Sequence, residues 1–200
     1  KFHPNIIVSS TGSAPLLPPI AGLKDRIDNE NHNIYSILGM ISHINDFPKD
    51  LEGKKVVVVG GGAVGLDVVE FFADRNADIS IVEMMDQIGR DLDPVSKNDT
   101  KTMMKKHNVH QLTKTALLEV KDSSFLVRGD GEPYELPFEY GFVCLGMRAQ
   151  GQLYQNLTEE FSSEDVEIMN IGDSQRARRI IDGTQEGRNI LTVLEQKGYL

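Results

Sequence analysis

Gly60, Gly62 and Gly65, with Glu83 placed 18 positions after Gly65, form the most chemically definite constellation in this 200-residue chain. A Gly-x-Gly-x-x-Gly run alone is weak, because glycine triplets arise by chance. Its meaning depends on what surrounds it. Here the continuous β-branched run Lys55-Val56-Val57-Val58-Val59 leads in, as expected of a parallel strand buried on both faces. Val64, Val68, Phe71 and Phe72 follow at helical spacing, and Asn76 marks a stop. Asp78 to Glu83 then reads as a second strand ending in an acid. In such a unit the first glycine permits the tight turn. The second lets a pyrophosphate approach the backbone, and the third lets helix pack on strand. The free N–H groups of Ala63, Val64 and Gly65 at the helix start, with the positive end of its dipole, attract phosphate oxygens.

Glu83 carries the choice between cofactors. A carboxylate at the end of the second strand accepts both hydroxyls of an adenosine ribose and repels a 2′-phosphate. Met84, Met85, Asp86 and Gln87 offer that phosphate no cation, and Arg90 is the nearest base. The expected ligand is therefore NAD(H) rather than its phosphorylated form. The competing reading is a glycine-rich turn that no longer binds nucleotide. Asp67 reads as lying in the first turn of the helix, where an acid suits the dipole for stability alone; a role near the nicotinamide is the other reading.

The elements that would position these groups follow a recognisable order. Asn5 to Ser9 reads as a short apolar strand ending at Ser10-Thr11-Gly12, within a stretch from Phe2 to Val8 that already reads as a strand entering a functional turn. Residues 20–35 read as polar and irregular, 36–45 as a short amphipathic helix, and 46–53 as a linker. Asp93-Pro94 supplies a cap and a proline at the first helical position for a helix reaching about His107. A third strand is expected at 109–112. Three short strands follow at 116–120, 124–127 and 134–138, with Asp130-Gly131 as the last hairpin turn. Phe142 to Leu145 is a buried strand ending at Gly146. Glu167 to Ile171 is a last strand closed by Gly172-Asp173, before a helix over about 178–197.

Composition limits the partners. The formal net charge is −9, with Lys and Arg scattered, which argues against nucleic acid or an anionic membrane surface. Cys144 is the single cysteine, so no intramolecular disulfide, CxxC pair or cysteine zinc cluster can form. His107 and His110 lack an evident third ligand and read as surface histidines, leaving no metal site. No run is apolar enough for a membrane span, and with no leader visible a cytoplasmic location is expected. A chain that starts at Lys1, already entering a strand, reads as a segment of a longer protein.

Several motifs resemble those of the two-dinucleotide flavoproteins, the pyridine nucleotide-disulfide oxidoreductase-like fold. Ile7-Val8-Ser9-Ser10-Thr11-Gly12 resembles that family's ATG-type turn, with Ser9-Ser10 replacing the usual small-Ala pair. Phe142 to Met147 resembles its second strand–glycine turn, although the proline expected after Gly146 is absent. Asn170-Ile171-Gly172-Asp173 resembles the motif whose Asp binds the ribitol of FAD. Finer features resemble the C-terminal region of multidomain old-yellow-enzyme relatives, such as 2,4-dienoyl-CoA reductase, 2-enoate reductase and trimethylamine dehydrogenase. Those features are Val82 to Asp86, Asp93-Pro94, and Gly172-Asp173-Ser174 with Arg178 and Glu186-Gly187.

The resemblance implies an α/β fold: a Rossmann-like three-layer FAD/NAD(P)-binding domain, with a parallel sheet and a β-meander, inserted in a partial FAD-binding domain. The expected boundaries are 1–50 for a partial FAD-domain strand and linker, 51–147 for the NAD(H)-binding domain, and 148–200 for the C-terminal FAD part. The nucleotide-contacting residues would be Gly60, Gly62, Ala63, Val64, Gly65, Glu83 and Gly146. Thr11, Gly12, Gly172 and Asp173 would form half of an FAD site. The first Gly-x-Gly-x-x-Gly of the family, which grips FAD, is absent from this chain.

The resemblance further implies a parent enzyme that is an NADH-dependent flavin oxidoreductase. Its TIM-barrel portion, with FMN and a 4Fe–4S cluster, would lie outside this chain. No catalytic acid or base is expected here, and the segment alone would bind rather than turn over. Two alternatives stay open. One is a structural module holding ADP or AMP without redox turnover. The other is a free-standing dehydrogenase, which the missing Tyr-x-x-x-Lys pair and missing P-loop weigh against. Gly183 and Gly187, at i and i+4 of the last helix, cost about 1–2 kcal/mol against alanine, so a close approach is expected there. A flavin ring or tight packing on the sheet would each supply it.

Overall fold

A computed structural model describes residues 4–199, so the part of the first-strand reading that falls on Phe2 and His3 lies outside the described residues. In chain order the elements begin β1 (Ile6–Ser9), β2 (Ser13–Pro15), α1 (Leu23–Arg26), β3 (Ile34–Tyr35), α2 (Ile37–Ser42), β4 (Lys55–Val59), α3 (Ala63–Ala73), β5 (Asp78–Val82), α4 (Pro94–Lys106) and β6 (His110–Leu112). They continue with β7 (Ala116–Val120), β8 (Ser124–Arg128), β9 (Tyr134–Pro137), β10 (Tyr140–Val143), β11 (Met147–Ala149), α5 (Gln152–Glu160), β12 (Glu167–Asn170), a 3₁₀ turn (Gly172–Ser174) and α6 (Ile180–Gln196). Among the described residues no helix is long and apolar enough to cross a membrane.

Two compact units emerge. The larger is Pro15–Gly146; the smaller joins the N-terminal residues up to Ala14 with Met147 onward. The larger unit is built on a parallel sheet in the order β3-β10-β4-β5-β6. The valine run of β4 is buried on both faces because alternate side chains point opposite ways. Val56 and Val58 join Leu66, Val69, Phe72 and Phe142 on the helical side. Val57 and Val59 join Val82, Phe125 and Val127 on the side of the antiparallel meander β7-β8-β9. The result is three layers: helices, parallel sheet, meander.

Local signals explain where elements stop. Asp93 Oδ1 accepts from the N–H groups of Val95 and Ser96, and Pro94 opens α4, as its sequence requires. Asn76 adopts a positive φ of 63° just beyond α3, ending it. The buried Ser36 caps α2 by accepting from Gly39 N–H at 3.1 Å. Ser36→Ala is expected to cost about 1 kcal/mol. A urea titration checks this through an unchanged slope and a lower midpoint.

Four features differ from the sequence reading. Residues 20–35 are not wholly irregular: Leu23 is fully buried in α1, and Ile34–Tyr35 adds an edge strand beside β10. Asp130-Gly131 does lie in the hairpin between the antiparallel β8 and β9, but the loop there is longer than a tight turn, spanning 129–133, and Gly131 has no positive φ. Asp67 is the fifth residue of α3 and so falls beyond its first turn. Helix α5 and the β2–β11 pair were not expected at all.

The smaller unit has a parallel pair, β1 with β12, and the helices α5 and α6. Its buried side chains among the described residues are Ser9, Ser174 and Leu194. Ile180, Ile181 and Leu191 of α6 are exposed, at 92%, 55% and 64%.

Candidate functional site

Strand β4 ends at the glycine turn, and the register of β4 against β5 brings Val59 opposite Val82, one residue before Glu83. The turn and the acid therefore lie side by side at the carboxyl end of the sheet. Gly60 takes φ 109°, and a Cβ there would stand 2.1 Å from the Cys144 carbonyl oxygen. A Cβ on Gly65 would stand 1.9 Å from the Gly60 carbonyl oxygen, so this residue sets how closely α3 approaches the turn. Gly62 differs, since nothing lies within 4 Å of where its Cβ would be. Its backbone faces open space. Gly62 also carries no capping side chain for α3, which leaves the first-turn N–H groups for an outside acceptor.

Glu83 is held from below. Its Oε2 accepts from Gly61 N–H at 2.6 Å and its Oε1 from Met85 N–H at 2.7 Å. Each carboxylate oxygen has a second lone-pair direction left over. The Glu83 backbone is fixed as well, donating to the Leu112 carbonyl and accepting from Thr115 N–H. The carboxylate is thus oriented before any ligand arrives.

A cavity of about 570 Å³ opens at this point. Gly60, Gly62, Ala63, Val64, Glu83 and Gly146 line it, six of the seven positions singled out in this unit. Gly65 does not; it acts through packing. Sequence reading missed the opposite wall, where Pro18, Ile20, Thr115, Ala116 and Leu117 stand. No local motif marks those residues, because the β7 strand and the segment before α1 reach the cavity through tertiary folding. A second cavity of about 430 Å³ beside α4, lined by Ile88, Lys97 and Lys101, includes none of the glycine-turn residues, although Ile88 borders Gly61.

Cys144 also lines the main cavity. Burial pushes its thiol up to about 12, and the charge of Asp67 adds to the shift. Asp67 is itself raised by partial burial of its carboxyl, although the residue is exposed on α3. A thiol raised from 9.0 to about 12 favours the fold below the unfolded-state value and loses that contribution as pH climbs from 9 to 12. Cys144 should therefore resist iodoacetamide at pH 8 in the folded chain and react readily in denaturant. Mass spectrometry after timed labelling checks both halves.

In the smaller unit, Thr11 donates to the Gln150 carbonyl and Gln150 N–H donates to the Gly12 carbonyl. Asp173 accepts from Ser13 Oγ at 3.2 Å and from Arg178 N–H at 3.1 Å. Nothing lies within 4 Å of a Cβ built on Gly12, Gly172 or Gly187, while one on Gly183 would meet the Gly172 Cα at 3.5 Å. A methyl on Gly183 would thus sit at ordinary contact distance and one on Gly187 in open space, so among the described residues the close approach expected at these two glycines is not present. Ser9 Oγ, at the end of β1, is buried without a hydrogen-bond partner. An orphaned buried hydroxyl and open glycine backbone around a fixed carboxylate suit a polyhydroxylated ligand that supplies the missing contacts. The chain offers nothing comparable for an iron–sulfur cluster, which needs several thiolates where only Cys144 exists.

The family described as pyridine nucleotide-disulphide oxidoreductase matches residues 4–170. An NADH oxidase of Thermoanaerobacter brockii is 26% identical over 93% of this chain and 27% of its own length. A metal reductase of Desulforamulus reducens is 25% identical over 92% of this chain and 30% of its own length. Among solved structures, a 2-naphthoyl-CoA reductase complex superposes with a TM-score of 0.73 at 20% identity, over 92% of this chain and 26% of that one. The chain thus spans less than a third of the length of these curated relatives.

Proposed function

The chain belongs to the pyridine nucleotide-disulphide oxidoreductase family, whose members bind FAD and NAD(P), and on that premise we propose that its larger unit is the NADH-binding domain of a flavin-dependent oxidoreductase. The observation that carries the reading is Glu83, a carboxylate pinned by two backbone N–H groups beside an open Gly62. The adenosine ribose would place its hydroxyls on Glu83. The pyrophosphate would pass over Gly62 toward the N–H groups of Ala63, Val64 and Gly65. The remainder of the dinucleotide would run along Val59, Cys144, Leu145 and Gly146, a largely apolar wall.

When bound, nicotinamide and flavin supply hydride chemistry between two rings, which requires placement and dry surroundings rather than an acid or base. This chain's residues bind, orient and exclude water. No side chain in the larger unit is assigned a catalytic proton.

We also assign Thr11, Gly12, Gly172 and Asp173 to half of an FAD site. The sparse core of the smaller unit and the exposed Ile180, Ile181 and Leu191 support a domain completed by residues outside this chain. FMN, a 4Fe–4S cluster and a barrel that holds the final substrate are expected in the parent and not in these residues. A cytoplasmic location goes with this reading.

The competing role is a structural site for ADP or AMP. Mixing the full-length flavin-loaded protein anaerobically with NADH separates the two. Rapid bleaching of the flavin's visible absorbance is expected of an electron-accepting flavin. Binding of NADH without bleaching would transfer the assignment to the structural module.

A further inference from the structure

The turn at Gly172-Asp173 is held by a side chain from a different element. Glu186, on the second turn of α6, accepts from Gly172 N–H through Oε2 at 2.6 Å. Its Oε1 takes Arg178 Nη2 at 2.5 Å. Arg178 in turn gives its backbone N–H to Asp173 Oδ1, and its Nε donates to the Arg176 carbonyl. The loop between the 3₁₀ turn and α6 is thereby closed into a ring: Gly172, Glu186, Arg178, Asp173. Gly172 sits at φ 67°, and Glu186 immediately precedes Gly187, whose face is open.

We propose that Glu186, braced by Arg178, is a positioning residue that locks the Gly172-Asp173 turn so that the Asp173 carboxylate is presented to the ribityl chain of a flavin. This deepens the flavin half-site reading and rests on it. Three observations carry it. The charged acceptor goes to a single backbone N–H, where a neutral group would satisfy the donor. The same carboxylate is bidentate, tying turn to loop. Asp173 uses one oxygen on Arg178 N–H and the other on Ser13 Oγ, so its orientation depends on where the loop stands. The Gly172 N–H, followed by the Arg178 guanidinium, holds the Glu186 carboxyl below its usual range, against the opposing charge of Asp182. The ionised form is the one that closes the ring.

The test uses the full-length protein that carries this chain, with the variants Glu186→Ala, Glu186→Gln and Asp173→Ala. Hydrogen exchange by mass spectrometry reads the turn, and flavin dissociation on dilution reads the site. In Glu186→Ala, exchange over 170–178 is expected to rise at least about ten-fold with the rest of the protein unchanged. Flavin dissociation should accelerate about ten-fold, and Glu186→Gln, which keeps an acceptor for Gly172 N–H but loses the ion pair to Arg178, should recover only part of that, staying at least about three-fold faster than the unaltered protein. NADH affinity should not change.

Unchanged exchange at 170–178 in Glu186→Ala would overturn the lock. So would unchanged flavin release in that variant when Asp173→Ala releases flavin quickly. A general rise in exchange across β1, β12 and α6 would make Glu186 merely structural and would also overturn it. If Asp173→Ala itself leaves flavin release unaltered, the flavin half-site reading fails, and the purpose assigned to Glu186 fails with it.

Discussion

Gly65→Ala is expected to destabilise the larger unit by at least about 2 kcal/mol net, and Gly62→Ala to leave its stability nearly unchanged. The contrast follows from what each new methyl would meet. At Gly65 it would stand 1.9 Å from a backbone carbonyl oxygen, that of Gly60, which cannot rotate away as a side chain would. Overpacking of this kind costs about 3 kcal/mol or more, at the upper end for an inserted methyl. Alanine returns only about 1 kcal/mol through its better helix propensity. The difference corresponds to a melting point lower by on the order of 4–8 °C. At Gly62 the methyl enters open space on ordinary extended backbone, φ −79° and ψ −179°. That space is the one assigned to the pyrophosphate, so binding of NADH should weaken by at least about ten-fold. Circular dichroism melts and calorimetric titrations of the two variants, read together, separate a packing glycine from a ligand-facing one. Equal melting points would contradict the division.

Glu83→Ala is expected to raise the NADH dissociation constant by about 5- to 150-fold, corresponding to roughly 1–3 kcal/mol for hydrogen bonds to a charged acceptor. The same change should leave NADPH binding unaltered or tighter, because it removes a negative charge from beside the 2′-phosphate. Of the two backbone donors released, Met85 N–H is exposed and can turn to water, whereas Gly61 is buried and its N–H loses its partner. A drop in stability of about 1–3 kcal/mol is therefore expected beside the loss of affinity. A parallel fall in affinity for both cofactors would show that Glu83 shapes the turn without selecting the ligand.

The sequence made the sheet side of this account legible and left the far wall hidden. The valine run, the three glycines, Asn76 and Asp93-Pro94 each act over a few residues, so pattern and capping chemistry suffice to place β4, α3, β5 and α4. The meander was readable for the same reason, since its strands are consecutive. Strand β3 was not: two residues, Ile34 and Tyr35, gain their strand geometry from pairing with β10 more than 100 positions later. The same holds for the β2–β11 pair, three residues on each side. Helix α5 buries none of its residues fully, so its apolar stripe is too weak to stand out.

Among the site residues, Gly60 and Glu83 could be paired from the strand–turn–helix–strand pattern alone. Thr115 and Leu117 could not, because a meander strand reaches the cavity only after folding. Glu186 was visible only as part of a family-like string. Its bond to Gly172 crosses 14 positions and needs the loop at Arg178 to close. Gly183 and Gly187 were noticed as a pair, and the fold divides them: a methyl on one would meet Gly172 at ordinary contact distance, and one on the other would enter open space.

The central claim is that Glu83 and the open turn at Gly62 make the larger unit a site for NADH. Isothermal titration of the purified chain with NADH, NADPH and ADP under one set of conditions tests it most directly. NADH should bind most tightly, with NADPH weaker by at least about ten-fold through repulsion of its 2′-phosphate at Glu83. NADPH binding as tightly as NADH, or more tightly, would contradict it.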